Sequence, residues 1–204
     1  MSGKRKTVAR LKVRPAKQDT RVLRTRDRLA VAMREIIQQK PLRNITVQEV
    51  LDKSGVSRSA FYAHYSDTQD LFVSDLDQFL QFAATCLSRA NDKSERLIAV
   101  QEFFGHVGKA ESMRQALARS DRLMDFFDLA RGHFARGIEQ RLGEIPRSRS
   151  LPKMERSALA HALAGALMSQ LEWWTRHGRH LSPEQMDQTF HRLAWTGIAS
   201  ARSS

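Results

Sequence analysis

Between Thr46 and His64 the sequence writes two helix starts around one helix stop. Few folds accommodate such tight punctuation. Thr46-Val47-Gln48-Glu49 has the form of a capping box: the threonine hydroxyl accepts from the third amide, and the glutamate reaches back to the cap's own N–H. The helix it opens buries Val47, Val50 and Leu51 and stops at Gly55, where a residue without Cβ takes positive φ at no steric cost. Ser57 then caps a second, short helix from Arg58 to His64. Val50, Leu51, Val56, Phe61 and Tyr65 are the core expected to hold the two helices at their angle. One face of the second helix is left free, in a helix–short turn–helix with about the spacing of the DNA-binding motif.

The rest of the chain keeps a helical period. Upstream, Val22, Leu29, Ala30, Met33, Ile36 and Ile37 recur at helix spacing from Thr20, and Pro41 closes that helix. Downstream, Ser66-Asp67-Thr68-Gln69 reads as another capping box, opening a helix 67–90 through Leu71, Phe72, Leu76, Phe79, Leu80, Ala83 and Leu87. Further helices are expected over 95–109, 111–118 and from Asp121 to about Gly143. The segment Ile145–Leu151 reads as a linker. Pro152 opens a helix to His177 that Gly178 terminates. Ser182-Pro183-Glu184-Gln185 combines an N-cap, a proline at the first helical position and a reciprocal glutamine, and that helix runs to about residue 201. No alternating stretch of useful length appears, so no sheet is expected. The fold class is all-α: a three-helix unit containing the helix-turn-helix, plus a six-helix bundle.

Charge divides the chain the same way. Of a net +12, residues 1–66 hold 16 Lys and Arg against 5 Asp and Glu, whereas residues 67–204 hold 18 against 17. A basic end beside a balanced remainder is the electrostatic footprint of a polyanion partner, with nucleic acid leading and an anionic membrane surface second. Residues 1–18 contain no acid and no aromatic and read as a disordered basic arm. Residues 19–66 form the helix-turn-helix unit, and 67–204 a body for effector binding and dimerisation.

Several classes fall away. The longest apolar run, Ala158 to Leu171, is interrupted and too short to span a bilayer, and no apolar segment follows the basic N-terminus as in a secretory signal. The single cysteine, Cys86, permits no intramolecular disulfide and fits a reducing cytoplasm. There is no HExxH, GxSxG or phosphate-cradling glycine loop, so no enzyme, cofactor or metal site is expected.

The segment Ile45–Phe72, with Ile45-Thr46-Val47, Gly55-Val56-Ser57, Phe61-Tyr62, His64-Tyr65 and Leu71 at their spacings, resembles the tetracycline-repressor (TetR) family of regulators. The resemblance is close from Thr20 to Phe72 and architectural beyond. It implies a homodimer on double-stranded DNA. Tyr62 and His64 match family positions that bond flanking phosphates. Chemistry points the same way for their neighbours: Arg58 suits a bidentate contact to a guanine edge or a phosphate. Ser57, Ser59 and Ala60 are small enough for close approach to the groove, the Ala60 methyl suiting a thymine methyl, and Thr46 is a further phosphate candidate. One departure stands out. Family members usually carry Lys where this chain has Thr68, whose hydroxyl is a weaker anchor. In the arm, Arg5, Lys6, Arg10, Lys12 and Arg14 suit backbone tracking or a minor groove.

In the body, helix 153–177 carries small residues (Ala158, Ala160, Ala162, Ala164, Gly165, Ala166) beside Leu159, Leu163, Leu167 and Leu171. Helix 183–201 offers Met186, Phe190, Leu193 and Ile198. Such faces serve either an intrachain core or a partner. The resemblance favours a four-helix bundle between two subunits. A pocket for a small apolar or aromatic effector is expected among Phe103, Phe104, Val107, Met113, Leu117, Met124, Phe127, Met168 and Trp174, with His106 and His133 to orient it. The reading is a cytoplasmic, sequence-specific transcription regulator, a repressor, with no membrane partner. The alternative is a nucleoid- or division-associated DNA-binding protein using the same motif.

Overall fold

The structure, a computed structural model, describes residues 17–118, 123–177 and 180–201. Among them every regular element is helical, apart from turns. The expected arm lies outside the described residues, except that helix α1 (Lys17–Ile36) has already begun at Lys17. Its apolar stripe buries Leu29, Ala32, Met33 and Ile36. The helix ends at Ile36, five residues before Pro41, and a 3-10 turn at Leu42–Asn44 leads to the next cap.

That cap forms as expected. Thr46 Oγ1 accepts from the Glu49 amide at 3.3 Å, and Glu49 Oε2 accepts from the Thr46 amide at 2.9 Å. Helix α2 (Val47–Ser54) ends at Gly55, which takes φ 60. Helix α3 spans Arg58–Tyr62, two residues short of its expected end. The amides of His64 and Tyr65 both turn back to the Phe61 carbonyl at 2.9 Å, which closes the helix early. Helix α4 (Thr68–Arg89) corrects the second capping box by one position. Asp67 is the cap, accepting from the Asp70 amide at 2.7 Å, while Ser66 donates its amide to Asp70 at 2.9 Å. A carboxylate one residue further on competes better for these amides than the Ser66 hydroxyl.

The expected helix over 95–109 is also corrected, since helix α5 covers only Val100–Lys109. Residues before it give their backbone groups to side chains instead. The buried Arg141 guanidinium donates to the carbonyls of Asp92, Ser94 and Arg96 at 3.2, 2.9 and 3.2 Å. Trp195 Nε1 donates to the Glu95 carbonyl at 3.1 Å, and the Leu97 amide donates to His191 Nε2 at 3.0 Å. Those bonds replace a helical ladder at no loss of satisfied groups. Helices α6 (Glu111–Ala118), α7 (Leu123–Glu144), α8 (Lys153–Arg176) and α9 (Pro183–Ala201) complete the chain. The Ile145–Leu151 segment is a packed corner, not a slack linker: Ile145, Ser148 and Leu151 are buried, and the Ser148 hydroxyl donates to the Leu142 carbonyl at 2.9 Å. The Ser182–Gln185 box closes reciprocally, at 2.8 and 3.2 Å. Gly178 lies outside the described residues.

Two apolar cores result. One gathers Leu29, Met33, Val50, Phe61, Tyr65, Leu71 and Phe72, and also takes Ala116 and Leu117 of α6. The other gathers Leu80, Ala84, Phe103, Phe104, Phe134, Ile138, Leu167, Trp174 and Phe190. They meet within α4, between Leu76 and Leu80, and Phe126 packs against both. Helix α7 lies between α4 and α8, and α9 packs chiefly on α5. The α4–α7 approach is close because Gly137 faces the Ala84 carbonyl: a Cβ there would stand 2.2 Å from that oxygen.

Candidate nucleic-acid interface

Helix α3 has one inward and one outward side. Phe61 is fully buried and meets Tyr65 ring to ring at 5.8 Å, which fixes the helix on its scaffold. Tyr65 is held in turn by Arg26, whose Nε donates to the phenol oxygen at 3.2 Å. Ser57, Arg58, Ser59 and Tyr62 are exposed, and Ala60 and His64 are half-buried beside them. Six of the eight residues read from the sequence therefore share this surface. Thr46 is exposed at the start of α2, but its hydroxyl already donates to Glu49 at 2.8 Å.

Thr68 departs from the group. It is buried, and its hydroxyl donates to the Ile45 carbonyl at 3.3 Å, so it ties α4 to the entry of α2 and faces away from the outer surface. This threonine thus has a structural bond here.

Arg58 is not a loose chain. Its Nη2 donates to Gln48 Oε1 at 2.5 Å, and Gln48 Nε2 donates to Asp52 at 2.7 Å. The relay draws the guanidinium across the α2–α3 angle, holding it near one rotamer before any partner arrives. Gln48 was not singled out in the sequence. Its spacing from Arg58 carries no periodic signal, because the two meet only through the turn at Gly55. Glu49 also belongs to this edge. Lys40 donates to it, and that bond with those from Thr46 lowers its carboxyl to about 2. Glu49 therefore stays charged at any ordinary pH.

The other proposed site residues are dispersed. Phe103, Phe104, Met168 and Trp174 pack into the second core, with Phe103–Phe134 rings at 4.9 Å and Phe104–Trp174 at 5.1 Å. Met113 and Leu117 belong to the first core instead. Met124 is 65% exposed. His133 is buried between α4 and α7: Arg136 donates to its Nδ1 at 3.0 Å, which leaves Nε2–H to donate to Asp77 at 2.7 Å. His106, Val107 and Phe127 sit on a half-open rim where His106 stacks on Phe79 at 4.3 Å. Burial lowers the His106 pKa, helped by Arg34 and Lys109, and favours its neutral ring. The expected walls are thus divided between the two cores and the surface. A shallow cleft of about 150 Å³ lies elsewhere, between Ile37–Pro41 and Gln115–Ala116. No group of His, Cys, Asp or Glu among the described residues is arranged to hold a metal ion.

Residues 29–74, which span α1 to the first turns of α4, match the family model described as bacterial regulatory proteins, tetR family. Over these residues the chain is similar to the tetR family of bacterial regulatory proteins. The matched segment includes the cap, the glycine turn and the outward face of α3 just described. Solved structures show that the fold extends beyond it. A protein of Syntrophomonas wolfei assigned to the TetR family of transcriptional regulators is 18% identical, with TM-score 0.58, over 86% of this chain and 95% of its own. A TetR transcriptional regulator from Streptococcus agalactiae 2603V is 20% identical, with TM-score 0.56, over 87% and 97%. The dihydroxyacetone kinase operon activator DhaS is 15% identical, with TM-score 0.59, over 86% and 96%. These likenesses give the fold. No curated protein matches the chain. No helix among the described residues is long and apolar enough to cross a membrane.

Proposed function

We propose that the chain is a sequence-specific, DNA-binding transcription regulator that works as a cytoplasmic homodimer. The observation that carries this is the coincidence of the tetR match with an outward α3 surface bearing Arg58, Ser59 and Tyr62, anchored from behind by Phe61. In this reading residues 19–66 are the reading head and 67–204 the body. The α3 helix enters the major groove, Arg58 addresses a base edge, and Tyr62, His64 and Thr46 bond flanking phosphates. A helix of five residues reads few base pairs, so specificity calls for two half-sites.

Support for the dimer comes from the outward side of α8 and α9. Ala158, Ala162, Ser169 and Trp173 of α8 are exposed, as are Leu193, Thr196 and Gly197 of α9. Gly165 and Gly197 face open space. This surface is small or apolar and suits close helix contact across a two-fold axis. The leucines named beside it in the sequence take the other role: Leu163, Leu167 and Leu171 are buried within the chain, with Met186, Phe190 and Ile198. Repression is the sign of regulation we assign, because occupancy of an operator needs no further surface for polymerase. An apolar or aromatic effector would act at the Phe79–His106–Phe127 rim. From there α4 and α6, both shared with the first core, lead to the reading head.

The test is selection of bound duplex from a random library, followed by genome-wide mapping. Enrichment of one two-fold-symmetric site near few promoters supports the regulator. Many dispersed sites with no change in transcription on deletion would favour an architectural DNA-binding protein.

A further inference from the structure

We infer that the outer face of α1 is a second DNA-contacting surface, a phosphate track formed by Arg21, Arg24 and Arg28. The inference rests on the DNA-binding reading above and extends its footprint beyond the helix-turn-helix.

Spacings of three and four residues put Arg21, Arg24 and Arg28 on one stripe of the helix, to one side of the face that buries Leu29, Met33 and Ile36. All three are exposed, and none makes an ion pair or hydrogen bond through its side chain with any described residue. The contrast with other cations of the same unit is sharp. Arg26 donates to Tyr65 and Ser74, Arg34 pairs with Asp75 at 3.5 Å, Lys53 pairs with Glu35 at 2.8 Å, and Lys40 pairs with Glu49. Asp27, exposed between Arg24 and Arg28, forms no ion pair with either of them.

Position matters as much as charge. Arg28 lies over the α2–α3 turn, its Nη2 only 2.7 Å from where a Gly55 Cβ would stand. One end of the stripe therefore abuts the turn that leads into the reading helix. From there to Arg21 the helix rises roughly 10 Å, at ~1.5 Å per residue. One DNA strand presents about three phosphates over that length along its axis, at ~3.4 Å each. Three guanidinium groups match three phosphates of the strand flanking the groove that α3 enters. Such contacts fix register and carry no base information.

The experiment uses the full chain on two duplexes of equal length, one selected from a random library by the unmodified protein and one of unrelated sequence. Salt dependence of binding is compared for the unmodified chain, for Arg21→Gln/Arg24→Gln/Arg28→Gln, and for a charge-matched control on exposed body residues, Arg89→Gln/Arg149→Gln/Arg176→Gln. Each lost phosphate contact removes about 0.9 from the slope of log K against log salt. The stripe variant should be shallower by about 3 per subunit engaged, with both duplexes weakened alike and their affinity ratio kept within about twofold. Arg24→Gln alone, which disturbs no described contact, should take about a third of that change. A slope equal to the unmodified chain's or the control's overturns the track, and so does a loss confined to the selected duplex. Lost co-sedimentation with phosphatidylserine vesicles at unchanged DNA slope would also overturn it, assigning the stripe to a membrane. If the unmodified chain enriches no sequence at all, the proposed function itself fails.

Discussion

Arg58 and Thr68 show how far a residue's surroundings decide what its chemistry is for. Both are hydrogen-bond donors that the sequence offers as DNA contacts. Arg58 reaches outward and is steadied by Gln48 at 2.5 Å, whereas the Thr68 hydroxyl is spent on Ile45 inside. Arg58→Ala is expected to cost roughly 1–3 kcal/mol on the selected duplex and little on random sequence, measured by titration at fixed salt. Equal losses on both would make Arg58 a phosphate contact. Gln48→Ala should give a smaller loss of the same kind, since it removes the brace and leaves the guanidinium. Gly55 is a different case, because its φ of 60 is a backbone demand. Gly55→Ala should destabilise the fold by about 1–2 kcal/mol, read as a lowered melting midpoint. An unchanged midpoint would mean that the turn relaxes to a conformation that L-residues accept.

Among the elements, α4 and α7 approach closely, whereas α8 and α9 present small or apolar residues outward. Gly137 sets the first. A methyl at that position meets the backbone of Ala84, which has no rotamer to yield, so Gly137→Ala should cost about 1–3 kcal/mol or more by pushing the helices apart. Wild-type stability would show that the pair slides freely. At the open surface, removing α9 is not a clean test of pairing, because Met186, Phe190 and Ile198 are core and the truncated chain loses its fold. Ala162→Glu with Leu193→Glu changes only exposed positions. The variant should sediment as a folded monomer, and a persistent dimer would place the interface elsewhere. Capping signals at Thr46, Gly55, Ser57 and Ser182 were legible because a cap is local. The start of α5 was not, because side chains of Arg141, His191 and Trp195, remote in sequence, take up the backbone groups that a helix there would have used.

For the whole molecule, the junction of α5, α9 and the preceding loop is held by charge. Asp187 bonds Arg96 at 2.8 Å and the Gln101 amide at 3.1 Å, with His191 at 3.2 Å. Burial raises its pKa, but His191, Arg96 and the amide outweigh burial and bring it to about 2. A carboxyl depressed in the folded state lends stability that is complete above its ordinary pKa and fades as pH falls through the folded one. That loss should therefore fall between about pH 4 and pH 2, and Asp187→Asn should flatten the acid limb of a stability–pH curve. An identical limb in the variant would shift the origin of acid unfolding to other carboxyls. What the sequence alone determined was the helical class, the cap–turn–cap punctuation, the charged end and the inward residues of the reading unit. All of these follow from neighbours a few positions apart. Tertiary structure decided that Thr68 turns inward, that Gln48 braces Arg58, that the aromatic walls close into a core, and that Arg21, Arg24 and Arg28 stay without ion pairs. Those outcomes depend on which distant groups arrive within hydrogen-bond or van der Waals reach, and no local pattern encodes that distance.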